Sequence, residues 1–333
     1  MREWVNDAIK KINADYQRSA DTHLIKLHGL PFNGIDVYLK DESTHPTGSL
    51  KHRLARSLFL YALCNGQIDR HTTIVEASSG STAVSEAYFA RMIGVKFIAV
   101  MPTQTARRKI AAIRAYGGQC HFVDFPTQMH QEARRVAKQH QGYFIDQFLM
   151  AERATDWRGS NNIAESIFEQ MSFEPHPEPH TIVMSAGTGG TSATIGRYLR
   201  YTGRNTRLLV ADPEYSVFYD SYQQSDPALK LERGSRIEGI GRPQVEASFQ
   251  PGVIDDMIKV NDRDSVDTML WLAELMGRKP GPSTGTNVWA ALQVATQMEL
   301  RGETGSIVTL MCDSGERYLD TYYNPQWVRE NIT

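Results

Sequence analysis

A chain of 333 residues, 41% hydrophobic and 22% charged, has the make-up of a globular protein built as one large α/β unit or two domains. Its net charge of −2, with no basic run, speaks against nucleic acid or anionic membranes as partners. No apolar run approaches the ~20 residues that span a bilayer, and the first residues lack the apolar core of a secretion signal; Cys64, Cys120 and Cys312 are too scattered for a disulfide framework or zinc site, so a metal-free cytoplasmic protein is expected.

The chain opens on a helix marked by Trp4, Val5, Ile9 and Ile12, then a connecting segment in which Leu24, Ile25 and Leu27 cover another surface. Val37, Tyr38 and Leu39 form a short strand that runs into residues 41–53. There the turn formers His45, Pro46, Thr47 and Gly48 give way at Lys51 to an apolar helical pattern of Leu50, Leu54, Leu58, Leu60 and Leu63. Strands at Thr73–Ala77, 96–101, 120–123 and 143–146 then alternate with helices at Ser81–Ile93, 105–116 and 129–140. A second series has strands at Thr181–Ser185, 207–211, 258–260 and 306–311, with helices at Ile163–Met171, 191–201, 264–276 and 286–300. Residues 213–254 are rich in turn formers and read as a substrate-facing or interface region. Short strands alternating with longer helices predict βαβ units and mainly parallel sheets. Two such series predict two lobes with a cleft between them.

Lys51 falls in the first turn of its helix, where the macrodipole disfavours a cation. That favours the neutral amine, the form that condenses with an aldehyde. A lone lysine of this kind also reads as an exposed residue, so the other loops decide. Ser185-Ala186-Gly187-Thr188-Gly189-Gly190-Thr191 lies between a strand and a helix, where successive amides bind phosphate. No Lys-Ser/Thr follows, which disfavours nucleotide triphosphates, and only Asp212 can be offered as the acidic residue of a dinucleotide site. The same glycines also suit close packing. Ser78, Ser79, Gly80, Ser81 and Thr82 crowd hydroxyls around a glycine at another helix start, which suits a carboxylate; an ordinary serine cap is the alternative. Two further loops, 281–287 and 313–318, lie at a helix start and beyond a strand. Loops at the carboxyl ends of parallel strands are where open α/β sheets bind ligands, so four such loops suggest one shared site.

As a set these residues resemble the fold-type-II pyridoxal-phosphate enzymes of the cysteine synthase and cystathionine β-synthase family. Pro46-Thr47-Gly48-Ser49-Leu50-Lys51-His52-Arg53 is similar to the cofactor-lysine segment, and Ser78 to Thr82 take the place of the substrate-carboxylate loop. Gly187 to Thr191 are identical to the phosphate loop, and Glu238-Gly239-Ile240-Gly241 resemble the glycine turn that follows it. Ser283 aligns with the residue facing the pyridine nitrogen, and Asp313-Ser314-Gly315-Glu316-Arg317-Tyr318 matches the closing signature. Residues 76–85, 152–158 and 281–287 resemble the bacterial L-cysteine desulfhydrases within that family. One departure is Ser81, where family synthases usually carry asparagine. With the chain ending at Thr333, the carboxyl-terminal regulatory domains of some β-synthases are not expected.

The resemblance implies a two-lobed α/β fold like the tryptophan synthase β chain, with pyridoxal 5′-phosphate in the cleft. It implies a smaller lobe over 42–155 and a larger one over 1–41 and 156–333. Lys51 is implied as Schiff-base lysine and general base, with Ser81, Gly187, Thr188, Gly189, Gly190, Thr191, Gly241 and Ser283 binding the cofactor. Ser78, Ser79, Gly80, Thr82 and Gln147 are implied to hold the substrate carboxylate. The implied reaction is α,β-elimination of L-cysteine to hydrogen sulfide, pyruvate and ammonia in a homodimer. The alternatives are β-replacement by a synthase and, from another class, a non-catalytic metabolite-binding regulator. His45, His52, Arg107, Arg108, Lys109, Trp157 and Trp289 are expected in structural or solvated roles, while Glu238 is evenly placed between proton transfer and a salt bridge.

Overall fold

In the computed structural model, which describes residues 2–19, 21–159 and 162–332, the chain divides into two compact units. The first comprises Met1–Ala20 and His45–Thr155, and the second Asp21–Thr44 and Asp156–Thr333. Each is a mainly parallel sheet flanked by helices.

The sheet of the first unit runs Gln119–Val123, Lys96–Pro102, Thr73–Ala77, Tyr143–Phe144 from edge to edge, all parallel. Thr73–Ala77 is buried at every position, as a strand covered on both faces must be. Its side chains alternate: Ile74 joins one core with Leu58, Phe59, Phe89 and Met101, while Val75 and Ala77 join another with Val100 and Val136. Helices Lys51–Cys64 and Ser81–Ile93 cover the first face, and Met129–Gln139 the second. Helix Ser81–Ile93 ends at Gly94 in the left-handed conformation, which a residue without Cβ adopts at little cost.

Residues 1–41 are expected in the larger lobe; Asp21–Thr44 fall in the second unit, but the amino-terminal helix, Arg2–Ser19, falls in the first. Its Ala8 and Ile12 are core residues of the first unit, with Trp4, Val5 and Ile9 packed against the same cluster. Tyr88 donates to Asp15 at 2.8 Å, and Arg56 lies over the Tyr16 ring at 4.2 Å. The sequence shows that this helix has an apolar stripe. Its partner is a tertiary fact.

The second unit carries six strands in the order His23–Lys26, Ile35–Asp41, Gly305–Met311, Thr181–Ser185, Arg207–Pro213, Asp256–Val260. Only the edge strand His23–Lys26 is antiparallel. Val37, Leu39, Val183, Ala211 and Ile307 meet helix Pro282–Leu300 through Val288 and Ala291. That helix packs closely on Asp262–Met276, since a Cβ on Gly285 would sit 1.9 Å from the Ser265 carbonyl oxygen.

Three differences from the expected elements have local causes. The strand expected over 143–146 pairs only at Tyr143–Phe144, because Asp146 turns the chain at φ 55° and caps a helix not foreseen, Gln147–Ala154, accepting the Leu149 amide at 3.3 Å. His23–Lys26 is a strand rather than a covering segment. Within 213–254 the chain forms the short helix Phe218–Gln224 among turns.

Candidate functional site

In the first unit, Lys51 is the first residue of its helix, following a turn closed by the Gly48 amide on the His45 carbonyl at 2.7 Å, with Gly48 at φ 72°. No acidic residue occupies that first turn to offset the macrodipole. Thr47 holds the turn in place. Its buried hydroxyl lies 2.8 Å from Ser85 Oγ on helix Ser81–Ile93 and 3.1 Å from His52 Nδ1. His52 is buried in an aromatic cluster, with ring centroids 5.0 Å from His45, 4.8 Å from Phe89 and 5.3 Å from Tyr88. Packing and the Thr47 contact account for it. The lysine-bearing turn is thereby tied to the helix that begins at the serine-rich loop.

That loop leaves the carboxyl end of strand Thr73–Ala77. Gly80 is the N-cap of the helix, so no side chain caps the first turn, and a Cβ there would meet nothing within 4 Å. Ser78 Oγ accepts the Gly80 amide at 3.2 Å, and the half-buried Ser79 hydroxyl makes no hydrogen bond among the described residues. Thr82 donates to Gln147 Oε1 at 2.7 Å, so the structure brings these two predicted residues together across 65 positions of chain. Uncapped amides with nearby hydroxyls and a carboxamide make a receptor for a small anion such as a carboxylate.

In the second unit, residues 187–191 follow strand Thr181–Ser185 and start helix Gly190–Thr202, again with a glycine, Gly189, at the N-cap. Thr188 is buried and its hydroxyl oxygen accepts the Gly190 amide at 3.2 Å. Two of the glycines are required by the protein itself. A Cβ on Gly187 would lie 2.4 Å from the Gly239 carbonyl oxygen, and one on Gly189, at φ 91°, 2.5 Å from Phe249 Cα. The Gly241 amide donates to the Ala186 carbonyl at 2.8 Å, so the 238–241 turn lies against this loop. Glu238 donates its backbone amide to the Tyr322 hydroxyl at 3.1 Å.

On the neighbouring parallel strand, Gly305–Met311, residues 313–318 fold back on 281–287. The Gly281 amide donates to the Asp313 carbonyl at 3.1 Å, Tyr318 donates to the Asp313 carboxylate at 2.7 Å, and the Cys312 amide donates to Thr284 Oγ1 at 3.3 Å. Ser283, in the first turn of helix Pro282–Leu300, is 4% exposed, and its hydroxyl makes no hydrogen bond among the described residues. Asp212 is spent internally. It accepts the Tyr219 amide at 2.8 Å and lies 3.5 Å from Lys259, with burial raising its pKa to about 6, so it is not placed to bind a ribose. Trp157 meets Tyr201 edge to face, and Trp289 packs on the core. Among the described residues no group of three or more His, Cys, Asp or Glu side chains could hold a metal ion, and no helix is long and apolar enough to cross a membrane.

Sequence reasoning missed Thr47 and Ser85. Thr47 lay within the motif segment, but only tertiary structure reveals what it touches.

The family model described as pyridoxal-phosphate dependent enzyme matches residues 17–313. The chain is 57% identical over 332 residues to an L-cysteine desulfhydrase of Mycobacterium tuberculosis, covering 98% of this chain and 90% of that protein. It is 29% identical to cysteine synthase B of Escherichia coli, over 92% of this chain and 94% of that one. Among solved structures, O-ureido-L-serine synthase is similar with a TM-score of 0.78 at 27% identity, covering 90% and 91% of the two chains. A hydrogen sulfide-producing enzyme from Fusobacterium nucleatum gives a TM-score of 0.77 at 25% identity, covering 94% and 99%.

Proposed function

The chain belongs to the pyridoxal-phosphate-dependent enzymes, and from that premise we propose that it is an L-cysteine desulfhydrase, converting L-cysteine and water to hydrogen sulfide, pyruvate and ammonia. The observation that carries this reading is the 57% identity, over nearly the whole chain, to an enzyme of that name.

The residues present suit the cofactor. Both helices start at a glycine N-cap that offers no capping side chain, and the Ser283 hydroxyl is buried and makes no hydrogen bond among the described residues, as a group reserved for a ring nitrogen should be. In this reading Lys51 holds the cofactor through its amine and, as general base, takes the substrate's Cα proton onto Nζ. Gly187, Thr188, Gly189, Gly190 and Thr191 hold the phosphate, with Gly241 behind them. Ser283 would offer its hydroxyl to the ring nitrogen, a hydrogen bond that does not protonate the ring, and Ser81 would help hold the ring. The bound cofactor supplies a sink for the electron pair released at Cα. Ser78, Ser79, Gly80, Thr82 and Gln147 orient the substrate by its carboxylate, which fixes the Cα–H bond relative to Lys51. We further propose a cytoplasmic homodimer, in keeping with three free cysteines and the family pattern.

A second reading, β-replacement by an added nucleophile, draws on the similarity to cysteine synthase B and O-ureido-L-serine synthase. Ser81, standing where the family's synthases usually carry asparagine, is a departure from the synthase pattern and so supports elimination over replacement. The test is purified, cofactor-loaded protein with L-cysteine as sole substrate. Release of sulfide and pyruvate supports elimination; no pyruvate until a second thiol is added supports replacement.

A further inference from the structure

Beneath the 78–82 loop lie two carboxyl side chains that the proposed reaction does not use. Glu76, in strand Thr73–Ala77, is fully buried; its Oε1 accepts the Ala77 amide at 2.7 Å and its Oε2 the Gln147 amide at 3.1 Å. Gln147 in turn accepts the Thr82 hydroxyl at 2.7 Å. Glu86 follows Thr82 by one turn of helix Ser81–Ile93 and is also fully buried. Among the described residues neither of its carboxyl oxygens receives a hydrogen bond, and the carboxyl whose charge acts on it is that of Glu76.

Two ionised carboxylates that feel each other's charge away from water are strongly disfavoured, by desolvation and by mutual repulsion. Both groups are accordingly raised above the usual carboxylate range. For Glu86 the causes are burial and then the Glu76 charge. For Glu76 burial dominates, opposed by the Gln147 and Ala77 amides and reinforced by Asp146. Asp146, at the N-cap of helix Gln147–Ala154, is itself paired with Arg134 from helix Met129–Gln139 at 3.4 Å and faces Tyr143. A proton on Glu86 resolves the conflict. Glu86 then donates to Glu76, and Glu76 stays an acceptor for both backbone amides.

We propose that Glu76 and Glu86 hold one proton between them and act as positioning residues, fixing Gln147 and through it Thr82 for the substrate's carboxylate. The inference rests on the reading that Thr82 and Gln147 bind that carboxylate.

The test uses cofactor-loaded protein and two readouts that need no turnover. Infrared difference spectra should show a protonated carboxyl stretch in the wild type that is missing in Glu86→Gln. The dissociation constant of L-alanine, which has no leaving group at Cβ, is read from the absorbance of the bound cofactor. Glu76→Gln, whose oxygen can accept only one of the Ala77 and Gln147 amides and whose NH2 group would face the other, should weaken L-alanine by about tenfold or more. Glu86→Leu should do the same, and Glu86→Gln, which restores a donor to Glu76, should return to within about threefold of wild type. Should Glu76→Gln fail to fold, the two Glu86 variants decide. A wild type without a protonated carboxyl, or a Glu86→Leu protein that binds L-alanine as wild type does, overturns the proposal. L-alanine binding without sulfide release from cysteine would instead refute the desulfhydrase reading.

Discussion

Two glycines in similar loops should respond oppositely to alanine, and the difference separates fold from ligand binding. Gly189 sits at φ 91°, and its added Cβ would lie 2.5 Å from Phe249 Cα, 2.6 Å from the Ser248 carbonyl oxygen and 2.7 Å from the Phe249 nitrogen. All three are backbone atoms, and ordinary contact begins at 3.4 Å, so none can swing aside. The left-handed conformation costs about 1–3 kcal/mol for a residue with Cβ, and overpacking adds about 1–3 kcal/mol. Gly189→Ala should therefore lose roughly 2–6 kcal/mol of stability. Gly80, by contrast, is an N-cap at φ −109°, and its Cβ would meet nothing. Gly80→Ala should leave stability unchanged or raise it by about 0.4–1 kcal/mol, through the unfolded chain. Its methyl group would meet only the substrate, so KM for L-cysteine should rise about tenfold as a charge-assisted hydrogen bond is lost. Urea unfolding of both variants, with steady-state kinetics on Gly80→Ala, checks the pair. A Gly80→Ala protein as stable as wild type with an unchanged KM would refute the assignment of this loop to the carboxylate; a Gly189→Ala protein as stable as wild type would refute the steric argument.

Three other outcomes are expected. Thr47→Val leaves Ser85 and His52 without their buried partner and should cost about 1–3 kcal/mol in urea unfolding, with kcat reduced because the Lys51 turn is released; an unfolding curve overlying wild type would contradict this. Ser283→Ala should leave the stability of the cofactor-free protein within about 0.5 kcal/mol, since the hydroxyl has no partner among the described residues, yet weaken cofactor binding in a fluorescence titration. Asp212 carries a pKa raised by burial from 3.8 to about 6, so it favours the folded state most when protonated. That contribution is full below 3.8 and is lost as pH rises to about 6, an effect of about 3 kcal/mol. Asp212→Asn should flatten the stability profile in that window, and equal slopes for both proteins would exclude it.

The alternation of strands and helices was legible because buried parallel strands are continuous apolar runs, as at Ile74-Val75 and Ile182-Val183, while the helices between them carry an apolar stripe. The ligand loops were legible for a related reason: Gly, Ser and Thr gather at the starts of helices Ser81–Ile93, Gly190–Thr202 and Pro282–Leu300. What stayed hidden depends on contacts between distant residues. Nothing local in the amino-terminal helix tells which sheet its stripe covers. Asp146 at φ 55° converts an apparent strand into a helix start, and a non-glycine residue with positive φ leaves little trace in sequence. Gly187 and Gly189 read either as room for a ligand or as close packing, and each faces a backbone atom of the protein, as Gly285 does on its helix. The bonds from Thr47 to Ser85 and from Gln147 to Glu76 join the site across 38 and 71 positions.

The most direct measurement gives the purified, cofactor-loaded protein L-cysteine alone and quantifies sulfide and pyruvate, with Lys51→Ala beside it. The account predicts equal amounts of the two products from the wild type and none above background from the variant. Sulfide without pyruvate, or undiminished turnover by Lys51→Ala, would contradict it.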